Sequence, residues 1–345
     1  MRQHPIGTGP FKFAEFKPNQ GIKLVRNPDY WKPRRPYLDG IEYTIIPNRS
    51  TAILAFIAKE FDLTFPYEVT VPLLKDAKAQ APQAVCDLTS TNASTNLPVN
   101  RDAPPFDNAD LRGALALALD RKSFIDILGE GQFTIGAVMM PPPEGIWGMP
   151  PDMLRTLPGY GPEVEKNLAE ARQLMEKLGY GPGRRLTVKI FTRNLPDFRD
   201  NAIILIDQLK QIYIDGELDP IDTVNFFPKL FRKDYQVGFG FSALVADDPD
   251  DAFYTRYACD AQLNTTGYCN RELEKRFDEQ SMEADQEKRK QLVWQIDKKL
   301  QEDVARPIIA HYRAATCWQP RVKGLTMMVS SIFNGWRMED VWLDN

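Results

Sequence analysis

Gly7-Thr8-Gly9-Pro10-Phe11-Lys12-Phe13 begins the most informative part of this 345-residue chain, and Arg26-Asn27-Pro28-Asp29-Tyr30-Trp31 ends it. The Gly-Thr-Gly-Pro turn leads into an alternating strand whose apolar residues include Phe11, Phe13 and Phe16. A second strand, from Ile22 to Val25, stops at the Asn-Pro turn, and two aromatic residues follow it. The segment therefore predicts a β-hairpin with an aromatic cap at its end.

The composition is that of an ordinary globular protein with room for two or more domains. Apolar residues make up 43% of the chain and charged residues 26%. The net charge of -4 provides no excess of basic residues for a polyanion, so nucleic acid is not an expected partner. The sequence contains no run of about 18 apolar residues, so it predicts no membrane-spanning helix.

Residue patterns typical of catalysis and metal binding are scarce. The chain has only two histidines, His4 and His311, which cannot form the clustered sites of most zinc enzymes. A hydrolase would need a nucleophile, a base and an orienting group together, and no Gly-x-Ser-x-Gly motif occurs. These patterns argue against an enzyme, and we expect no metal and no cofactor.

Two cysteine pairs are candidates for disulfides. Cys259 and Cys269 lie close together in a polar, loop-like segment, which favours a bridge that closes a short loop. The loop-entropy estimate for such a closure is about 2–3 kcal/mol. Two unpaired thiols are the alternative. Cys86 and Cys317 form a weaker second pair, and two bridges together would favour an oxidising compartment.

Strands and helices alternate between residues 107 and 303, which predicts an α/β domain there. The clearest helix begins at a cap on Asn108 or its neighbour Asp107 and ends at Gly129. Asp120-Arg121-Lys122 interrupts its apolar stripe and is predicted to be a solvated turn. Further along, the sequence predicts a strand at Leu186–Phe191 and a helix at Asp200–Ile214.

Several segments resemble one family, the peptide-type (family 5) extracellular solute-binding proteins. Gly7 to Phe13 and Arg26 to Trp31 are similar to a motif in the first lobe of that family. Pro105-Phe106-Asp107, with Leu111-Arg112 and Asp120-Arg121-Lys122, resembles the segment that opens the second lobe. Similar segments that follow in the family's order are Ala169–Tyr180 and Arg321–Gly324.

The resemblance implies an α/β fold of the periplasmic binding protein type II class, with two hinged lobes that close over a ligand. Lobe one would comprise residues 1–97 and 313–345, and lobe two residues 98–312. Because the family extends further at its N-terminal side, the resemblance also implies that lobe one is incomplete here and that the signal region is absent. An incomplete lobe predicts exposed sheet edges or apolar surface.

By the same resemblance, the chain is the periplasmic solute-binding component of a bacterial ABC importer. It would capture a peptide or peptide-like small solute between its lobes and deliver it to the permease subunits, through which alone it would contact the membrane. The alternative is a truncated, ligand-silent relative with a structural or sensory role. A ligand-dependent gain in thermal stability would distinguish the two.

Arg193 and Val245 are the positions where the resemblance predicts how the two ends of a ligand are recognised. Arg193 lies where dipeptide-binding members of the family have an arginine for the ligand carboxylate, and a planar guanidinium suits that task. A loop-bracing role is the alternative. Val245 stands where peptide-binding members hold the ligand amine with an aspartate, which favours a solute recognised through a different group.

Further candidate ligand contacts surround these two positions. Asp247 and Asp248 lie near the amine position but not at it, and capping of the following helix is their alternative role. Phe241 and Trp147 are candidates for stacking on a ligand, although aromatic residues more often belong to the core. His311 lies on a predicted crossing segment, where it would face the ligand or be a buried histidine.

Overall fold

In the computed structural model, residues 5–66, 68–329 and 335–344 are described. The chain divides into two compact units: unit 1 is Met1–Thr91 with Arg313–Asn345, and unit 2 is Asn92–Tyr312. The chain therefore passes between the units after Thr91 and again after Tyr312. The lobes predicted from the sequence place the first passage after residue 97 and the second at the same point.

Unit 1 is formed by the two ends of the chain, and unit 2 by its middle. The first segment contains β1 (Phe11–Lys17), β2 (Gly21–Arg26), β3 (Gly40–Thr44), α1 (Arg49–Ile57), α2 (Val71–Gln80) and β4 (Val85–Asn96), which runs into unit 2. Unit 2 continues with α3 (Ala109–Leu117), α4 (Arg121–Gly129), α5 (Pro151–Leu154), α6 (Val164–Lys177), β5 (Leu186–Arg193), α7 (Pro196–Lys210), β6 (Ile214–Ile221), α8 (Thr223–Phe231), β7 (Val237–Gly238), β8 (Gly240–Ala243), α9 (Pro249–Ala252), a π-helical turn (Phe253–Tyr257), α10 (Arg271–Met282) and α11 (Gln286–Glu302). The last segment contains β9 (Ile308–Trp318), which begins in unit 2, followed by β10 (Val322–Lys323), a 3₁₀ helix (Gly335–Asp340) and β11 (Trp342–Leu343).

The predicted hairpin near the start of the chain is confirmed. β1 and β2 pair antiparallel, with Phe13 opposite Leu24, and β3 joins the other side of β2. Asn27 closes the end of the hairpin, because its side-chain amide donates to the Gly9 carbonyl oxygen over 2.9 Å. The Asn-Pro turn therefore ties the end of β2 to the Gly-rich turn that precedes β1.

Unit 2 contains a parallel sheet and a second sheet that includes the passing strands. The strand order is β6-β5-β7 in the first sheet and β8-β4-β9 in the second. β5 is parallel to both of its neighbours, and α7 provides the helical crossover that a parallel β5–β6 pair requires. The buried apolar residues of this part include Leu97, Phe106, Leu115, Ile190, Leu205, Val237, Phe239 and Ile309.

The predicted helix between Asn108 and Gly129 is two helices, α3 and α4. Asn108 caps α3 and Asp120 caps α4, each through a side-chain oxygen that accepts a backbone N–H. The prediction that Asp120-Arg121-Lys122 is a solvated turn is wrong for Arg121, whose side chain is only 4% exposed. Its guanidinium donates to the carbonyl oxygens of Ile308 and Gly159, so a charged side chain is buried by satisfying backbone acceptors.

Both cysteine pairs are joined. One disulfide links Cys259 to Cys269 and the other links Cys86 to Cys317. In unit 1 the second disulfide connects β4 to β9, beside a cluster that includes Phe56. Among the described residues, no helix is both long enough and apolar enough to cross a membrane.

Candidate ligand site

Arg193 lies at the carboxyl end of β5, where the chain turns into α7. One guanidinium nitrogen donates to Thr223 Oγ1 over 3.0 Å, and the guanidinium carbon lies 4.9 Å from the Phe198 ring centre and 5.5 Å from that of Phe227. Its Nε is buried without a hydrogen-bond partner. Burial lowers the pKa of Arg193, and within the described residues no carboxylate lies within ion-pair distance of it. Aromatic rings therefore fix this guanidinium while its hydrogen-bonding capacity stays largely unused.

Phe241 belongs to an aromatic cluster that adjoins Arg193. Its ring centre lies 4.7 Å from Phe198, 5.8 Å from Phe239 and 5.6 Å from Tyr312, in each case with the rings edge to face. Phe198 therefore contacts both Arg193 and Phe241. These two predicted site residues lie on one aromatic surface of unit 2.

Val245 is an exposed residue of the loop that follows β8. Its side chain is 53% exposed. The backbone N–H groups of Val245 and Ala246 both donate to Asp251 Oδ2, over 2.6 and 3.3 Å. The nearby Asp251 carboxylate thus holds the loop backbone, and Val245 presents an apolar side chain to solvent.

Asp247 and Trp147 meet in the same part of unit 2. The indole Nε1 of Trp147 donates to the Asp247 carbonyl oxygen over 2.9 Å, and the Trp147 side chain is buried among apolar residues. Asp247 Oδ1 is buried without a hydrogen-bond partner, and burial raises the pKa of its carboxyl group. Trp147 is therefore a core residue that positions the loop, while Asp247 keeps an unpaired carboxylate oxygen.

Asp248 performs the capping role considered for it. Its Oδ1 accepts the backbone N–H of Asp250 at the start of α9 over 3.0 Å. Arg289 of α11 donates two hydrogen bonds to the same carboxylate, over 3.0 and 2.8 Å, and lies 4.5 Å from the Trp147 ring centre. The carboxylate of Asp248 is therefore paired with the guanidinium of Arg289.

His311 is a buried histidine. It is 2% exposed, and its Nε2 donates to the Ala137 carbonyl oxygen over 3.0 Å. Burial lowers the pKa of His311 to about 4, so the ring is neutral at pH 7. With Ser94 and Ser242, His311 lines a cavity of about 10 Å³, which has room for about one water-sized sphere.

Two further arginines lie in this region, the buried Arg306 and the half-buried Arg256, and sequence reasoning did not select them. Arg306 donates to Ser242 Oγ over 3.0 Å and to Thr265 Oγ1 over 2.7 Å, and Arg256 donates to the Ala243 carbonyl oxygen over 2.7 Å. Burial lowers the pKa of Arg256, and the positive charge of Arg306 lowers it further. The partners of Arg306 lie 64 and 41 residues away in the sequence, so no local pattern indicates them.

The structure thus separates the predicted site residues into three groups within unit 2. Arg193 and Phe241 share the aromatic surface, the loop from Val245 to Asp248 packs on Trp147, and His311 lies at the small cavity. Among the described residues, no group of three or more His, Cys, Asp or Glu side chains is placed to hold a metal ion.

The family of this chain follows from its match with known proteins. Residues 1–264 match the family described as bacterial extracellular solute-binding proteins, family 5 Middle. The chain therefore belongs to this family, as its resemblance predicted, and the family consists of solute-binding proteins.

Two curated relatives and one solved structure define the likeness further. Di/tripeptide-binding protein 1 of Pseudomonas aeruginosa is 27% identical over 336 residues, which are 94% of this chain and 58% of that protein. Heme-binding protein A of Haemophilus influenzae is 32% identical over 185 residues, which are 53% of this chain and 31% of that protein. The periplasmic binding protein DppA of Helicobacter pylori, solved with the peptide STSA, has a TM-score of 0.83 at 24% identity and covers 99% of this chain and 64% of its own. This last likeness confirms the predicted α/β fold of the type II class.

This chain spans less than two thirds of the length of each of these proteins. The two curated relatives are named for peptide and for haem binding, so different members of this family bind different molecules.

Proposed function

We propose that this protein is the periplasmic solute-binding component of an ABC importer, and that it captures a peptide or peptide-like small solute for delivery to membrane permease subunits. It is a carrier and not an enzyme. Membership of the extracellular solute-binding family supports this function, and so does the likeness to peptide-binding relatives. The two disulfides are consistent with an oxidising compartment such as the periplasm.

Arg193 is the observation that carries the ligand assignment. Its guanidinium is held by Phe198, Phe227 and Thr223 but has no carboxylate partner among the described residues. A guanidinium with free donors in a partly buried setting binds a carboxylate with two parallel hydrogen bonds. The proposed ligand therefore carries a carboxylate, which a peptide C-terminus provides.

At its other end, the ligand is not held as a free amine by a carboxylate at position 245. Val245 supplies no charge, and Asp251 is occupied by the loop backbone. Asp247, with its unpaired Oδ1, is the carboxylate of this loop that retains capacity for a donor. We therefore assign the second polar contact of the solute to Asp247.

Native mass spectrometry of the purified protein tests this function first, because a captured solute would travel with it. A thermal-shift series with di- and tripeptides and their C-terminal amides follows. We expect the free acids to raise the melting temperature and the amides to raise it less. Arg193→Met should weaken binding about 10- to 100-fold, the loss typical of one charge-assisted contact.

Arg172→Met is the matched control, since Arg172 is a half-buried arginine whose guanidinium donates to the Gln211 carbonyl oxygen over 3.4 Å. It should leave the affinity unchanged. A protein that carries no co-purified molecule and shifts with no peptide or metabolite would contradict the carrier function and support the ligand-silent alternative. If the free acids and the C-terminal amides bind equally well, the proposed contact between Arg193 and a carboxylate is contradicted, but the carrier function is not.

A further inference from the structure

The small cavity beside His311 lies in the interior of unit 2. Its volume of about 10 Å³ has room for about one water-sized sphere. Nine of its ten lining residues are no more than 8% exposed, and the tenth, Arg256, is half-buried. All ten belong to the continuous segment that forms unit 2, so the site is built within this one unit.

The cavity lies where the π-helical turn meets the sheet formed by β8, β4 and β9. Ser94 of β4 pairs with Ser242 of β8, and both line the cavity together with His311 of β9. Arg256 and Tyr257 of the π-helical turn line it as well. Hydroxyl, imidazole and guanidinium groups therefore surround a space that is buried in the protein, and π-helical turns are frequent at functional sites.

His311 contributes a hydrogen-bond acceptor to this site. Its Nε2 donates to the Ala137 carbonyl oxygen and its lowered pKa leaves the ring neutral, so Nδ1 carries no proton and can only accept. Nδ1 is buried and has no hydrogen-bond partner among the described residues. Gly136 covers the opposite side of the ring, since a Cβ atom at that glycine would lie 2.5 Å from His311 Cδ2 and 2.8 Å from Nε2. The Nδ1 side of the ring is therefore the side that is left to the cavity.

Arg256 contributes a hydrogen-bond donor. One of its terminal guanidinium nitrogens donates to the Ala243 carbonyl oxygen over 2.7 Å, but its Nε is buried and has no partner among the described residues. Buried polar atoms of this kind are costly unless water or another group satisfies them. The two lining residues thus have opposite needs, because His311 requires a donor and Arg256 requires an acceptor.

We propose that this cavity binds one internal water molecule, which donates to His311 Nδ1 and accepts from Arg256 Nε. A halide ion could accept from Arg256 but has no proton to donate to His311. A metal cation or an ammonium ion would be repelled by the guanidinium group. The water is a structural ligand that connects β9 to the π-helical turn, and it does not depend on the proposed transport function.

A crystal structure of the 345-residue chain, at a resolution that shows ordered water, is the first test. We expect one density peak within hydrogen-bond distance of both His311 Nδ1 and Arg256 Nε. A second crystal soaked in bromide distinguishes water from an anion, because bromide scatters anomalously. A cavity without density, or an anomalous bromide peak at this position, would overturn the proposal.

Magnetic relaxation dispersion of water deuterons tests the same site in solution, because it counts water molecules that stay inside the protein for long times. Ser94→Val adds a methyl group to the cavity and removes a hydroxyl, so this variant should have one long-lived water fewer than the parent chain. Ser94→Ala removes the hydroxyl without filling the space and is the matched control, which should keep the parent count. Circular dichroism verifies that both variants are folded, and equal counts in the two folded variants would contradict a water at this site. If Ser94→Val does not fold, the two crystals of the parent chain still decide.

Discussion

His311 and Asp297 are two buried titratable residues of unit 2 whose shifts act on stability in opposite directions. The folded pKa of His311 is about 4, below its ordinary 6.5, so acid favours the unfolded chain, which takes up the proton first. The folded pKa of Asp297 is about 6, above its ordinary 3.8, so acid favours the folded chain. Both shifts arise from burial, and they partly cancel between pH 6 and pH 4.

Replacing His311 should expose this cancellation. His311→Gln keeps an amide N–H for the Ala137 carbonyl oxygen but cannot titrate. Relative to this variant, we expect the parent chain to lose about 3 kcal/mol of unfolding free energy as the pH falls from about 7 to about 4. Urea denaturation of both proteins across this range measures the difference. Parallel pH profiles would show that His311 titrates normally in the folded state.

Residue identity predicted some roles at this scale and missed others. Asn108 as a helix cap follows from local chemistry, because an asparagine before an apolar repeat needs only its own backbone neighbours. Arg121 could not be predicted, since its acceptors lie on Gly159 and Ile308, far away in the sequence. The same holds for Asp248, whose partner Arg289 is brought to it by the packing of α11.

At the scale of elements, the two disulfides close loops of very different size. Cys259 and Cys269 are separated by 10 residues, and Cys86 and Cys317 by 231. In the chain-entropy account the longer loop constrains the unfolded chain more, which gives about 5 kcal/mol for Cys86–Cys317 and about 3 kcal/mol for Cys259–Cys269.

We therefore expect the Cys86→Ala/Cys317→Ala double variant to lose more stability than the Cys259→Ala/Cys269→Ala variant. Urea unfolding of both variants and of the parent chain gives the comparison. Cys317 is buried among apolar residues, which adds to the loss of stability expected for the Cys86→Ala/Cys317→Ala variant. Cys259 is half-buried and Cys269 is exposed, so the short-loop variant lacks this additional loss. A larger loss from the short-loop variant would contradict the entropic account for this protein.

Element boundaries were predictable where the local signal was strong. The strand predicted at Leu186–Phe191 is β5, but the helix predicted at Asp200–Ile214 starts earlier, at Pro196, and ends at Lys210. Ile214 instead begins β6, a strand that the sequence did not reveal. Its Gly216 and Pro220 are poor strand formers, and β6 tolerates them because it lies at the edge of its sheet.

At the scale of the whole molecule, the two units differ in how the chain builds them. Unit 2 is one continuous segment, Asn92–Tyr312, and among the described residues its apolar clusters contain only members of that segment. Unit 1 needs both chain ends, because Ala315 and Cys317 pack with Ile53 and Phe56. A second unit 1 cluster joins Val322, Met338 and Val341 to residues of the first segment.

This difference predicts which parts fold alone. A fragment of residues 92–312 should be folded, with α/β circular dichroism and a single cooperative urea transition, because its core is complete. A fragment of residues 1–91 should not fold by itself, since its helices and sheet lack the partners that the C-terminal segment supplies. Joining residues 1–91 to residues 313–345 through a flexible Gly/Ser linker should restore folding, because the linker replaces only the passage through unit 2. A cooperative transition in the isolated 1–91 fragment, or its absence in the 92–312 fragment, would show that the stability of each unit depends on residues other than those in its own apolar clusters.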